Sequence, residues 1–140
     1  MARPIYTRFR FVGLLSLALS SPLAVAKDVA VKLTGALEVP AVASSASGTG
    51  TISVGEDKIV KGSVTTSGIE GTMAHVHWAP AGKNGPPVIT LTKSGDNVWS
   101  IPAGSKLTDD QYKSFLAGEL YINVHSAAHP GGEIRAQLKP

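Results

Sequence analysis

Glu119-Leu120-Tyr121-Ile122-Asn123-Val124-His125 is the stretch that decides the fold. Aliphatic residues alternate with Tyr, Asn and His, and a period of two is the pattern of a β-strand with one face on a core. The aliphatic residues at 120, 122 and 124 are predicted to face inward. His125 then lies on the outward, polar face at the end of the strand, where a ligand can reach it.

The same period recurs along the chain between Gly-, Pro- and Asp-rich turns. Further strands are predicted over residues 29–37, 49–54, 58–66, 73–78, 88–92, 97–101 and 133–138. One short helix is predicted near 108–117, because Thr108 is a good N-cap, Gln111 stands three residues later and Gly118 follows as a stop. The pattern predicts an all-β domain, a Greek-key β-sandwich or flattened barrel of about eight strands with one helix.

The beginning of the chain is typical of a cleaved signal peptide over residues 1–26. Three arginines precede an apolar run over residues 11–20, and Ala24-Val25-Ala26 is a small-residue cleavage site. The apolar run is too short to span a bilayer, and no later stretch is long enough. We therefore expect a single domain over residues 27–140 that is periplasmic or secreted and has no membrane span.

The composition of that expected domain excludes several partners. The chain has 13 Lys+Arg and 10 Asp+Glu, but three of the arginines fall in the expected signal peptide, so the mature net charge is zero. A neutral domain has no electrostatic basis for binding nucleic acid or an anionic surface. The chain contains no cysteine, so it forms no disulfide, and a soft metal ligand must be methionine or histidine.

The first candidate ligands are His75 and His77, in Met73-Ala74-His75-Val76-His77-Trp78. Side chains at alternate strand positions share a face, with roots about 7 Å apart, so both rings can reach one ion at about 2 Å. The simpler alternative is two surface histidines on a half-exposed strand. The second histidine pair in the chain, His125 and His129, makes a shared metal site the favoured interpretation.

The remaining candidates rank below that pair. His125 is the best third ligand because it ends a strand on the polar face. His129 is weaker, since a histidine in the turn before Pro130 also caps backbone groups. Met73 is the weakest: its thioether suits Cu(I), but a rim methionine is the simpler interpretation. A donor set of imidazoles disfavours Ca²⁺ and Mg²⁺ and favours copper, with zinc as second choice.

Other side chains near the candidate ligands are predicted to have structural roles rather than to bind metal. Trp78 points to the opposite strand face and is predicted to pack in the core. Glu133 and Arg135 share the outward face of the last strand and could orient His125 by hydrogen bonding, but a solvated ion pair across the hairpin is the favoured interpretation. Asn84 lies in the Pro- and Gly-rich segment 79–87, a loop beside the histidine pair, and is interpreted as a solubilising residue.

The chain resembles the CHRD domain, a module named for chordin and also found in exported bacterial proteins. The resemblance covers residues 29–138 and is carried by Leu33-Thr34-Gly35-Ala36-Leu37-Glu38-Val39-Pro40, Gly48-Thr49-Gly50, Ala74-His75-Val76-His77, Asn84-Gly85-Pro86, Leu116-Ala117-Gly118-Glu119-Leu120-Tyr121-Ile122-Asn123-Val124-His125 and Pro130-Gly131-Gly132-Glu133-Ile134-Arg135-Ala136-Gln137-Leu138. The resemblance implies an immunoglobulin-like or superoxide-dismutase-like β-sandwich and no general reaction. Trp78 stands where glycine is common in this family. The His-x-His strand is also similar to the copper-binding strand of copper/zinc superoxide dismutases.

Three functions from different classes fit these observations. The favoured hypothesis is an exported copper-binding protein that holds or carries the ion through a histidine cluster and turns nothing over. The second is an enzyme, a copper-only superoxide dismutase analogue. The third is a metal-independent domain that binds a protein or glycan. The partner is a metal ion in the first two hypotheses, and another exported protein is left open as a further partner.

Overall fold

The structure is a computed structural model that describes residues 21, 23 and 25–140. The described part forms nine strands, one 3-10 helix and one α-helix. The strands are β1 Ala26–Thr34, β2 Ser47–Gly55, β3 Val60–Ser67, β4 Gly71–Trp78, β5 Pro87–Thr90, β6 Thr92–Gly95, β7 Val98–Ser100, β8 Leu120–Ser126 and β9 Ile134–Leu138. The 3-10 helix spans Gly35–Leu37, within the stretch expected to end the first strand, and helix α1 spans Asp109–Leu116.

Most of the expected signal peptide, residues 1–20, 22 and 24, lies outside the described residues. Within the described part, neither helix has the length and apolar character needed to cross a bilayer.

The strands lie in one antiparallel sheet in the order β5-β4-β8-β9-β1-β2-β3-β7-β6. The two strands that end this order, β5 and β6, are separated in the chain by Leu91 alone. The sheet must therefore curl until its two ends meet. At this seam the backbone N–H of Leu91 donates to the carbonyl of Ala74 in β4, 2.9 Å away. The result is a nearly closed, barrel-like sheet, and closure protects strand edges that would otherwise be unpaired.

The expected all-β fold with one short helix is confirmed. The two-sheet sandwich with Greek-key connections is not confirmed, because the described strands are hydrogen-bonded into a single sheet. The expected strand over residues 88–92 is instead divided at Leu91 between the two ends of that sheet. This division raises the number of strands to nine.

The hydrophobic core fills the inside of this sheet. Its fully buried members include the following large side chains: Leu33, Ile52, Val64, Val76, Phe115, Leu120, Ile122, Val124, Ile134 and Leu138. The inward prediction for the aliphatic residues of β8 is thus confirmed. The other face of β8 does lie away from the core, but the prediction that it is open to solvent is wrong, because the whole strand is buried and His125 is only 6% exposed. Residues 79–86, called here the cover loop, lie over that second face, as the contacts below show.

Helix α1 begins as the sequence predicts. The Thr108 hydroxyl accepts from the backbone N–H of Gln111, and the Gln111 side chain accepts from the backbone N–H of Thr108. Phe115 packs into the core and Tyr112 lies against it, whereas Leu116 stays 45% exposed. The prediction that Trp78 packs in the core is wrong: Trp78 is 37% exposed, and its indole N–H donates to Ser114 of the helix, 2.9 Å away.

Replacing Thr108 with Ala is expected to lower the free energy of unfolding by about 1 kcal/mol and the Tm by about 4 °C, because the helix loses its N-terminal acceptor. Thermal unfolding followed by circular dichroism measures the change. Thr108→Ser is the matched control, since serine retains the hydroxyl, and it should stay near the wild type. An equal loss in both variants would contradict the capping role.

Candidate metal centre

Strand β4 divides its side chains between two faces. Ala74 and Val76 are buried in the core, while His75 and His77 lie on the opposite face, as the sequence predicts. The hydrogen-bond register between β4 and β8 pairs Met73 with His125. In an antiparallel pair, residues diagonally opposite are within reach of long side chains, so His125 of β8 reaches His75.

The structure brings three of the four histidines together. His75, His77 and His125 each offer a ring nitrogen, and these three atoms lie within 4.8 Å of one another. The ring centroid of His75 is 5.3 Å from that of His77 and 4.9 Å from that of His125. His77 and His125 are buried, and His75 is half-buried. The three rings form a cluster just below the surface, and the His75 ring is the most accessible of the three.

Two of the three rings have their tautomer fixed by a backbone carbonyl. The Nδ1 of His77 lies 2.9 Å from the carbonyl oxygen of Gly85, and the Nδ1 of His125 lies 2.9 Å from that of Pro130. A carbonyl oxygen only accepts, so each Nδ1 must carry the proton. The Nε2 atom of each ring is therefore left with a lone pair, the form in which imidazole ligates a metal.

The third ring is less constrained. The Nδ1 of His75 lies 3.0 Å from the Nε2 of His125, and since that Nε2 is an acceptor, His75 donates. The Nε2 of His77 is buried and makes no well-formed hydrogen bond among the described residues, although the Asn123 side chain is near enough to favour the charged ring. A buried acceptor without a partner is costly, and a bound cation would satisfy it.

The spacing fits a shared ion after a small adjustment. Nitrogens at about 2.1 Å from one ion are at most about 4.2 Å apart. The group extends to 4.8 Å, so one ring must move by a fraction of an ångström. His75 is the ring free to do so, because no carbonyl holds it in the described structure. It would exchange its hydrogen bond to His125 for a bond to the ion.

The electrostatic environment keeps the rings neutral. Burial lowers the pKa of His75, and repulsion from His125 and His77 lowers it further. Burial also lowers the pKa of His77, and this effect outweighs the hydrogen bond to Gly85, which favours the charged ring. Both rings are therefore neutral, and able to ligate, down to a lower pH than exposed histidines.

The cover loop is held in place by one asparagine and one glycine. The Asn84 side chain donates to the carbonyl of Val39, 2.6 Å away, and accepts from Arg135 at 3.3 Å. The backbone N–H of Gly85 donates to the Tyr121 hydroxyl at 3.3 Å. Gly85 thus contacts His77 through its carbonyl and Tyr121 through its N–H. Asn84 is exposed, as a solubilising loop residue would be, but it also joins the loop to the sheet through Arg135.

A stack of planar groups stands behind His77. The His77 and Tyr121 rings are parallel to within 3° with centroids 4.7 Å apart. The guanidinium carbon of Arg135 lies 3.4 Å from the Tyr121 ring centroid. Strand β8 lies between β4 and β9, so the tyrosine ring separates the arginine from the histidine.

The predicted solvated ion pair between Glu133 and Arg135 is wrong. Arg135 is 1% exposed, and the described residues give it no salt bridge. Its guanidinium donates to neutral oxygens of Pro80, Asn84 and Gln137 at 3.1–3.3 Å. The Glu133 carboxylate instead accepts from serine hydroxyls, Ser44 at 2.7 Å and Ser126 at 2.5 Å. These hydrogen bonds hold the pKa of Glu133 below its usual range.

Glu38 and Asn123 complete the buried polar layer. Burial raises the pKa of the Glu38 carboxyl, and the nearby Asn123 amide and Arg135 charge only partly oppose this. One oxygen of each side chain, Glu38 Oε1 and Asn123 Oδ1, has no hydrogen-bond partner in the described part of the chain. The layer therefore contains one buried guanidinium and a carboxyl whose charge is disfavoured.

The two weaker candidates lie outside the cluster. His129 is in the turn after β8, where its backbone N–H donates to Ser126 and its carbonyl accepts from the N–H of Gly132. It is not part of the group of three. Met73 is 47% exposed at the rim, directly across from His125. The assignment of these two residues as ligands stays a prediction.

The family of the chain can now be stated. A family model described as CHRD domain matches residues 29–138. The chain belongs to the CHRD domain family. The match covers the barrel-like sheet of this CHRD domain except the first three residues of β1, and it includes all three clustered histidines. Searches of curated proteins and of solved structures gave no significant match.

Residues that support the centre escaped the periodicity argument, namely Asn84, Gly85, Tyr121 and Arg135. All four are predicted to lie in a loop or on an outward strand face. The available signal was the stretch Asn84-Gly85-Pro86, which is one of the pieces that carry the resemblance to the CHRD domain. An asparagine and a glycine beside a histidine strand indicate a loop that closes on that strand.

Proposed function

We propose that this CHRD domain binds copper through His75, His77 and His125 and holds or carries the ion rather than turning over a substrate. The observation that carries the proposal is the orientation of the rings. The His77 and His125 rings donate their Nδ1–H groups to backbone carbonyls, which leaves each Nε2 unprotonated. The Nε2 of His77 is also buried and makes no well-formed hydrogen bond among the described residues. A cluster built in this way is organised to receive a cation.

Copper is the proposed ion because of the donor set. The cluster is composed of imidazoles and contains no carboxylate, which disfavours the oxygen-seeking ions Ca²⁺ and Mg²⁺. Imidazole suits both copper and zinc, and copper binds more tightly at equal geometry. Zinc is the second candidate. The proposed location is the periplasm or the cell exterior, on the basis of the signal-peptide pattern in residues 1–26.

Titration of the purified domain tests the proposal. One equivalent of copper per chain is expected for the wild type, and His75→Ala/His77→Ala should lose at least about 1,000-fold in affinity because it removes two of three donors. Competition with a chromogenic chelator measures the affinity. His129→Ala is the matched control, since it removes a histidine outside the cluster, and its uptake should equal that of the wild type. Equal uptake by the double variant would refute the proposal.

The enzyme alternative is decided on the same samples. A superoxide dismutase analogue requires the copper-loaded wild-type domain, freed of unbound copper, to consume superoxide faster than the metal-free wild-type domain. The proposed holding or carrying function predicts equal rates. A metal-independent interaction domain is the alternative that remains if the wild type takes up no copper at all.

A further inference from the structure

A buried positive charge lies close to the candidate metal centre. The guanidinium of Arg135 is 1% exposed and lies against one ring, Tyr121, that in turn lies against His77. Water cannot screen a charge at this depth as it screens a surface lysine. An ion bound by His77 is therefore exposed to the field of Arg135 through a single aromatic ring.

No negative charge in the cluster offsets it. The three clustered donors are imidazoles, which bring no negative charge to a bound ion. The carboxyl in the same polar layer, Glu38, is buried, and burial works against its ionised form. The oxygens that Arg135 contacts belong to two neutral side chains and one backbone carbonyl. The candidate ligands are thus uncharged imidazoles beside a buried guanidinium, and the carboxyl in the layer is disfavoured in its charged form.

We infer that the centre selects monovalent over divalent ions, and so Cu(I) over Cu(II) and Zn(II). The inference rests on the proposed metal-binding function and assigns the oxidation state of the ion. A unit charge about 10 Å from the ion, at an effective dielectric constant of about 20, weakens binding on the order of tenfold for each unit of ion charge. A divalent ion therefore loses about tenfold more affinity than a monovalent one.

A soft donor stands on the same face. Met73 is directly across the strand pair from His125, and its thioether is the only sulfur in the part of the chain that the structure describes. Thioether sulfur favours Cu(I). The ligand chemistry and the charge of the surroundings thus favour the same oxidation state.

Affinities for Ag(I) and Zn(II) test the inference without a redox step, because Ag(I) is a monovalent, redox-inert probe. In Arg135→Gln, the ratio of Zn(II) affinity to Ag(I) affinity is expected to rise about tenfold over the wild type. Gln137→Leu is the matched control: it removes the hydrogen bonds that Gln137 makes with Ala79, Gly118 and Arg135 in the same layer, but it keeps the charge of Arg135. Its ratio should stay within about twofold of the wild type.

A second measurement uses the wild type alone, in case Arg135→Gln does not fold. Copper is offered as Cu(II) or as Cu(I) kept reduced with ascorbate, each against a chelator of known affinity. Tighter binding of Cu(I) supports the inference, and tighter binding of Cu(II) overturns it. An unchanged Zn(II)/Ag(I) ratio in folded Arg135→Gln also overturns it. A wild type that binds none of these ions contradicts the proposed function itself, which distinguishes the two failures.

Discussion

Gly85→Ala is expected to lower the free energy of unfolding by about 3 kcal/mol and the affinity for copper by about 10- to 100-fold. A Cβ on Gly85 would overlap the carbonyl oxygen of Trp78 and lie 2.7 Å from its carbonyl carbon. These are backbone atoms at the end of β4, so they cannot rotate away as a side chain can. The cover loop must therefore lift, and its lifting withdraws the carbonyl that orients His77.

Gly131→Ala is the matched control for this substitution. A Cβ at Gly131 meets nothing within 4 Å, so the change should leave the free energy of unfolding within about 0.5 kcal/mol of the wild type. Chemical denaturation measures the stability of both variants, and chelator competition measures their copper affinity. If Gly85→Ala is destabilised but binds copper as tightly as the wild type, the cover loop does not orient His77.

The strands were predictable because their alternation is a local property. A period of two places Ala74 and Val76 inward and the histidines outward whatever the rest of the chain does. The helix was predictable for the same reason, since Thr108 and Gln111 form a capping box within one turn. The closure of the sheet was not predictable from the sequence. Closure depends on the chain crossing at Leu91 from β5, at one end of the strand order, to β6, at the other end. No local sequence pattern indicates which strands these two segments pair with.

The site was predictable in its donors but not in its surroundings. The three rings that meet were all named from sequence, because adjacent strands keep alternate residues on one face. The prediction that β8 and β9 expose their polar faces failed because periodicity distinguishes two faces but not whether a loop covers the second. Arg135 is the clearest case. Its position in the alternation predicted a solvent-exposed side chain, but the cover loop supplies carbonyl and amide oxygens that accept its hydrogen bonds in place of water. Its burial beside Tyr121 is a tertiary property.

Copper affinity is expected to fall steeply with acidity, by a factor approaching 1,000 per pH unit once all three imidazoles titrate, because each must be neutral to ligate. The sign follows from the lowered pKa of His75 and His77. The neutral forms of these two rings persist to a lower pH than in an unfolded chain, so the fall in affinity is displaced to lower pH than for three exposed imidazoles. Three ordinary imidazoles, half-protonated at pH 6.5, would already have lost about eightfold.

Copper competition at pH 7.5, 6.5, 5.5 and 4.5 measures this dependence, and circular dichroism at each pH separates ligand loss from unfolding. The same lowered pKa values contribute to the free energy of unfolding of the metal-free domain. This contribution is fully present above about pH 6.5 and decreases as the pH falls below that value, because the unfolded chain then binds more protons. His129→Ala should follow the wild-type curve, since His129 lies outside the cluster. An affinity independent of pH between 7.5 and 4.5 would mean that imidazoles are not the ligands, and the copper would then have to be bound elsewhere on the chain.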